Sequence, residues 1–315
     1  MPRRFENPEP SPTKILWDVV KWRARSRPPQ WPDWIPSEPA PAPPERSAPG
    51  AILFNAINHA TVLMQVDGAN LLADPIWSAR IGPLSFAGPR RVRAPGLALD
   101  QLPPIDAVLL SHNHFDHMDL RSLTPICERH RPVILCGLEN ARFLRKLNAK
   151  QTLEMDWWES RRVGGANIHF VPAQHWSRRG LRDTNLSLWG GFVIESSQGP
   201  VYFAGDSAYG AFFGGLRRRF GPMRLSFLPI GSHEPRWFMK PHHMSPEDAA
   251  QAHLDLESRR SIGIHYGTFE GLADDDFNAP VEGLAQAREK FGIQPDAFQA
   301  AEYGRQFVCH TQRHE

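Results

Sequence analysis

Ala107-Val108-Leu109-Leu110-Ser111-His112-Asn113-His114-Phe115-Asp116-His117 runs from four apolar residues straight into a turn that carries three imidazoles and a carboxylate. A short apolar run bounded by polar residues reads as a strand. The donors behind it then stand at a strand end, where a rigid sheet can aim several side chains at one point. Neutral imidazole and carboxylate are the usual ligands of zinc and its first-row neighbours, and so tight a cluster has few other physical uses. Without a cation the three rings would repel one another when protonated and would each need a separate partner when neutral. The plain alternative is a polar surface turn that happens to be rich in histidine.

Three residues elsewhere in the chain decide between these readings. His175 follows the apolar run 168–173, Asp206 closes Val201-Tyr202-Phe203-Ala204-Gly205-Asp206, and His265 closes Ile262-Gly263-Ile264-His265. Each ends a predicted strand. Taken singly, His175 or His265 would more often be a satisfied core histidine; taken with the first cluster, both read as ligands. The seven donors His112, His114, Asp116, His117, His175, Asp206 and His265 exceed what one tetrahedral ion takes up. Two ions sharing a carboxylate, each keeping room for water, account for all of them. Such donors suit zinc and also admit manganese or iron.

Outward from these residues the composition shifts near residue 50. The stretch 28–49 holds nine prolines among 22 residues, too many for a helix or a central strand, and reads as an extended arm. Ahead of it, Ser11-Pro12 opens a predicted short helix with Ile15, Leu16, Val19 and Trp22 on one side. Such a segment could cover its own domain, meet a second subunit, or lie on a membrane surface through Trp17, Trp22 and the basic residues beside them. The expected division is an N-terminal extension over 1–50 and one domain over 51–315. From Ala51 the spacing predicts a meander of strands at 52–57, 61–66 and 71–73, with Asp67-Gly68 as a turn signal. Further strands are predicted at 107–110, 133–136, 167–171, 186–195, 201–204, 225–230 and 261–264, and helices at 120–130, 139–147, 246–256 and 280–291. Strands in two batches with helices interspersed favour an α/β domain with more than one sheet.

Composition narrows the function classes. With 36 Lys and Arg against 34 Asp and Glu, the net charge of +2 provides no field for a nucleic-acid partner. Three cysteines without paired zinc-ligand spacing argue against a disulfide framework and for a reducing, cytoplasmic setting. Neither a signal-peptide pattern nor an apolar run long enough to span a membrane is found.

The order His-x-His-x-Asp-His, then His, Asp and His resembles the metallo-β-lactamase superfamily. Within it the chain looks closest to the N-acylphosphatidylethanolamine-hydrolysing phospholipase D group. That likeness rests on Leu102-Pro103-Pro104-Ile105-Asp106-Ala107-Val108, Met155-Asp156-Trp157-Trp158-Glu159, Gln174-His175-Trp176 and Glu234-Pro235-Arg236-Trp237-Phe238-Met239-Lys240. It covers about 54–291. Asn58-His59-Ala60-Thr61 stands where the family has Gly-His-Ala-Thr, and Ser207 follows Asp206 where Thr is common; Ser232-His233 and Pro241-His242-His243 also differ.

The resemblance implies an αββα sandwich of two mixed β-sheets flanked by helices, with the metals at one edge. It implies His112, His114 and His175 on one ion, Asp116, His117 and His265 on the other, and Asp206 between them. Asp116 is then the candidate to orient the attacking water. His243 is the candidate for a phosphate contact or a proton donor, unless it is a capping histidine. Trp157, Trp158, Trp176, Trp237 and Phe238 could line an acyl groove or be ordinary core, and Arg236 and Lys240 could meet lipid phosphate. The implied substrate is a phospholipid or another small molecule, with a peripheral membrane contact and a homo-oligomer both allowed. The same signature also suits a lactonase or other ester hydrolase. A non-catalytic module stabilised by zinc is the alternative of another class.

Overall fold

The structure, a computed structural model, describes residues 4–12, 16–27, 29–37 and 40–309, and every side chain within them except those of Leu16 and Val19. Ile15 and the Leu16 and Val19 side chains of the expected apolar stripe therefore lie outside the described residues. Helix α1 (Leu16–Arg25) precedes strands β1 (Ile52–Asn58), β2 (Thr61–Val66), β3 (Ala69–Ala73), the short β4 (Arg90–Arg91) and β5 (Ala107–Leu110). Next come α2 (Leu120–His130), β6 (Val133–Gly137), α3 (Ala141–Leu144) and β7 (Gln151–Met155). The second batch opens with β8 (Ser160–Val163), β9 (Ala166–Val171), β10 (Gly191–Glu195) and β11 (Val201–Phe203). It continues through α4 (Phe212–Phe220), β12 (Leu225–Pro229), α5 (Arg236–Met239), α6 (Pro246–Asp255) and β13 (Ser261–Ile264). β14 (Phe269–Glu270), α7 (Ala279–Phe291), β15 (Phe298–Ala300) and β16 (Gln306–Cys309) complete the order.

Two seven-stranded sheets result, β16-β1-β2-β3-β5-β6-β7 and β15-β13-β12-β11-β10-β9-β8. Each is mixed: β3, β5, β6 and β7 run parallel in the first and β11, β12, β13 and β15 in the second, with the remaining pairs antiparallel. Asp67 and Gly68, both at positive φ, turn β2 into β3, as a two-residue hairpin loop requires. β5 shows why its run is wholly apolar: Ala107 and Leu109 enter the core between the sheets, while Val108 and Leu110 pack with Leu123, Ile126 and Cys127 of α2. A strand covered on both faces has no polar side to alternate with. α4, α6 and α7 cover the other sheet through Leu216, Ala249 and Leu284. The architecture is the expected αββα sandwich.

Several elements differ from the sequence expectation. The strand predicted at 186–195 exists only as β10. Its first half crosses between the sheets, with Leu188 N–H donating to the Leu138 carbonyl and Gly190 N–H to the Ser111 carbonyl. The helix predicted at 139–147 shrinks to one turn in α3, and β7, β8, β15 and β16 were not anticipated. α4 was hidden by its Gly214-Gly215 pair, whose low helix propensity is overridden by burial of Phe213 and Leu216.

Candidate metal centre

β5 delivers the 112–117 turn from the first sheet, and β9, β11 and β13 of the facing sheet are followed by His175, Asp206 and His265. The structure brings all seven expected donors together. His112 Nε2 lies 2.8 Å from His114 Nδ1, which lies 3.3 Å from His175 Nε2. Asp206 Oδ2 stands 3.3 Å from His117 Nε2 and 3.8 Å from His175 Nε2, and its Oδ1 stands 3.2 Å from His265 Nε2. Asp116 Oδ2 is 3.4 Å from His117 Nε2 and 3.5 Å from His265 Nε2. His112, His114 and His175 therefore form one triad and Asp116, His117 and His265 another, with Asp206 reaching into both.

These side chains fit cations. His117 Nε2, His265 Nε2 and Asp206 Oδ1 are buried yet have no hydrogen-bond partner, which costs roughly 1–3 kcal/mol for each atom unless something else takes up the lone pair. The tautomers are set from behind. Ser111 Oγ donates to Asp74 Oδ2 at 2.6 Å, so it accepts from His112 Nδ1 at 2.9 Å and leaves the His112 Nε2 lone pair facing inward. The same Asp74 oxygen accepts from His117 Nδ1 at 2.7 Å, and the His242 carbonyl accepts from His175 Nδ1 at 2.8 Å. Both rings then aim Nε2 at the centre.

Electrostatics agrees with this arrangement. Burial, aided by neighbouring imidazoles, pushes His114 down to about 3 and His112 well below its ordinary range, and burial takes His175 to about 4. Burial works against ionisation of Asp116 and Asp206, but the adjacent His117 and His265 outweigh it and hold both carboxyls well below the usual range. At His117 burial is overcome by Asp206, Asp116 and Asp74, which raise its pKa well above normal. Three carboxylates thus draw positive charge to one point. Neutral His112, His114 and His175 and ionised Asp116 and Asp206 are the forms that bind a divalent ion, whereas His117 holds a proton that a bound ion would displace.

Two neighbours escaped the sequence reading as site residues. Asp74 directly follows the strand predicted at 71–73, the same strand-end signal that picked out Asp206. His59 sits at φ 45° in the β1–β2 turn, its Nε2 3.1 Å from Asp116 Oδ2 and its carbonyl accepting the His265 N–H at 2.8 Å. The signal for it was the Asn58-His59-Ala60-Thr61 turn.

An apolar-walled cavity of ≈ 340 Å³ opens on the donors, lined by Asp116, Asp206 and His243 together with Trp22, Trp176 and Phe238. His243 Nδ1 lies 3.8 Å from Asp206 Oδ2 without a hydrogen-bond partner. Of the seven aromatic and basic side chains expected to contact substrate, Trp176 and Phe238 line this cavity, and Trp157, Trp158, Arg236, Trp237 and Lys240 do not. Trp157 instead packs on the inter-sheet core and donates its Nε1–H to the Trp189 carbonyl. Trp158 sits in the β7–β8 turn under Arg219. Arg236 is committed to Asp248 at 2.6 Å and the His243 carbonyl at 3.1 Å, and Trp237 faces outward beneath Lys21. Aromatic type alone did not distinguish cavity wall from core or surface.

Comparison with known proteins matches residues 69–266 to the beta-lactamase superfamily domain. The N-acyl-phosphatidylethanolamine-hydrolyzing phospholipase D 1 of Caenorhabditis elegans is 36% identical over 247 residues, spanning 74% of this chain and 69% of that protein. The mitochondrial N-acyl-phosphatidylethanolamine-hydrolyzing phospholipase D of Saccharomyces cerevisiae is 34% identical over 235 residues, 72% of this chain and 50% of its own. Among solved structures, the metallo hydrolase Igni18 from Ignicoccus hospitalis aligns with a TM-score of 0.61 at 21% identity, covering 83% of this chain and 100% of its own, which shows a shared fold. Sheet order, donor convergence and sequence likeness agree, and the chain belongs to the beta-lactamase superfamily as a metal-dependent hydrolase of the metallo-β-lactamase fold.

Proposed function

We propose that the chain is a binuclear phosphodiesterase of phospholipase D type, cleaving N-acylphosphatidylethanolamine-like phospholipids to phosphatidic acid and an N-acylethanolamine. The observation that carries this reading is the apolar wall of the cavity beside the donors; a soluble lactone or sugar phosphate would call for a small polar pocket. The activity named for the worm and yeast relatives supports it. In this reading His112, His114 and His175 hold one ion and Asp116, His117 and His265 the other, with Asp206 shared. Zinc suits the donors best, with manganese and iron as alternatives. When bound, two such ions supply Lewis acidity toward phosphoryl oxygen and acidify water enough for hydroxide to form near neutral pH.

The remaining steps belong to side chains. Asp116, ionised and lining the cavity, accepts a hydrogen bond from the attacking water and so orients it. The water oxygen adds to phosphorus, the bond from phosphorus to the ethanolamine oxygen breaks, and the leaving oxygen takes up the proton that the water gives up. Burial holds His243 neutral, which suits donation of a hydrogen bond to a phosphoryl oxygen better than delivery of a full proton. Trp176 and Phe238 take the acyl chain.

The catalytic domain in this reading is 51–315, with 1–50 as an extension upon it. A cytoplasmic enzyme that touches a bilayer peripherally fits the loops carrying the cavity residues Ile81 and Arg178. These loops also expose Phe86 (76%) and Leu181 (90%), and α1 exposes Trp17 (67%) beside Lys21 and Arg23. Among the described residues no helix is long and apolar enough to cross a membrane. The test is a metal-quantified assay on N-acylphosphatidylethanolamine vesicles, simple phosphodiesters and lactones. Release of N-acylethanolamine is expected; lactone opening without it would replace the phospholipid reading with an esterase one.

A further inference from the structure

The N-terminal segment reaches the centre at two points. Asn7 Oδ1 accepts the His175 backbone N–H at 2.9 Å, and Glu9 and Gln174 exchange two hydrogen bonds, at 2.9 and 3.2 Å. Further along, α1 lays Trp22 into the metal cavity itself. The indole is 6% exposed and stacks on Phe238 with centroids 4.8 Å apart, in an apolar cluster with Met239 and Ala273. Its Nε1–H donates to Asp274 Oδ2 at 3.0 Å, and Ser26 Oγ, one turn later, donates to the other oxygen of Asp274 at 2.6 Å. One carboxylate therefore clamps both the ring and the helix turn that bears it. Trp17, on the same helix, has no such anchor among the described contacts and lies in solvent. Trp22 is thus held by its face and by its N–H, which makes it a rigid wall rather than a loose flap.

We propose that Trp22 is a specificity-determining residue, a wall of the substrate cavity supplied from outside the catalytic domain that limits the acyl group admitted. The inference rests on the phospholipid reading and sharpens it. The test compares the full-length, metal-loaded protein with Trp22→Ala, Trp22→Phe and Asp274→Ala on two series running from acetyl to palmitoyl: N-acylphosphatidylethanolamines and p-nitrophenyl esters. In Trp22→Ala the preference, as a ratio of kcat/KM values, is expected to move toward the bulkier acyl groups by about 10-fold or more, while Trp22→Phe keeps the parent profile. In Asp274→Ala the profile is expected to move the same way, and amide exchange over 16–27 to speed up at unchanged metal content.

A second readout does not depend on turnover. A terminally brominated alkyl phosphate should quench a fraction of tryptophan fluorescence that is missing in Trp22→Phe. An unchanged chain-length profile in Trp22→Ala, with native far-UV circular dichroism and the same quenching in Trp22→Phe as in the parent, would overturn the inference. Should the parent protein cleave only the esters, the phospholipid reading alone falls, and Trp22 is judged on the ester profile.

Discussion

One oxygen of Asp74 receives the Ser111 hydroxyl at 2.6 Å and the His117 Nδ1–H at 2.7 Å, so a single side chain sets a ring tautomer in each half of the centre. Its other oxygen accepts the Ser111 backbone N–H at 2.8 Å, which uses up the carboxylate. An asparagine has one acceptor oxygen where this network needs two. In Asp74→Asn one of the two rings must turn or change tautomer, placing an N–H where a lone pair faced the centre. Divalent-metal affinity is expected to fall about 10–100-fold, the usual cost of losing such a supporting contact, while the fold persists. Metal titration by calorimetry checks this, and parent-like affinity would show that the tautomers are held elsewhere. Asp116→Asn makes a different demand. The amide keeps the shape and one acceptor but loses the charge that orients water, so turnover should drop by about 10²-fold or more with little change in the urea midpoint of the chelator-treated protein. An equal loss of turnover and stability would reduce Asp116 to a structural residue.

At the scale of elements, the site depends on two strand ends from different sheets approaching each other closely. Gly205, between β11 and Asp206, sits at φ 62°, and a Cβ built there would stand 2.5 Å from Ser111 Cβ on the facing turn. Gly205→Ala combines left-handed strain with overpacking and should destabilise by about 2–4 kcal/mol. The loss should show in chelator-treated protein as well, because the clash needs no ion; urea unfolding of metal-free protein is the measurement. Such close approaches also explain what was legible in the chain. The buried parallel strands β5, β11 and β13 announced themselves as apolar runs, each ending in a donor, and the 112–117 turn concentrated four donors in a few residues. β15 and β16 pair with β13 and β1 only through contacts distant in sequence, so no local pattern marked them. The run 186–195 failed because glycine allowed it to leave one sheet for the other: a Cβ at Gly137 would come within 2.4 Å of the Leu188 carbonyl, and one at Gly190 within 2.5 Å of the Val171 carbonyl. Trp157 and Trp176 look alike in sequence because burial and lining a cavity require the same apolar surface.

For the whole molecule, the centre is a tie between two sheets that otherwise meet through an apolar core. His112, His114, Asp116 and His117 belong to the first sheet, and His175, Asp206 and His265 to the second. Ions bound by such a set favour only the state in which both sheets are in register, so metal binding is coupled to global folding and not merely to ordering of one loop. With metal at about a thousandfold excess over Kd, one site adds roughly 4 kcal/mol, and in a domain of this size that corresponds to a rise in Tm on the order of 10 °C. Chelation should therefore lower Tm by that amount and metal return should restore it, read by scanning calorimetry. Two variants separate a tie from a local effect. His117→Ala removes a donor from the first sheet and His265→Ala one from the second; if the ions hold the sheets together, each variant should lose much of the metal-dependent rise. Were the ions stabilising only the 112–117 turn, His265→Ala would keep the full rise and His117→Ala alone would lose it.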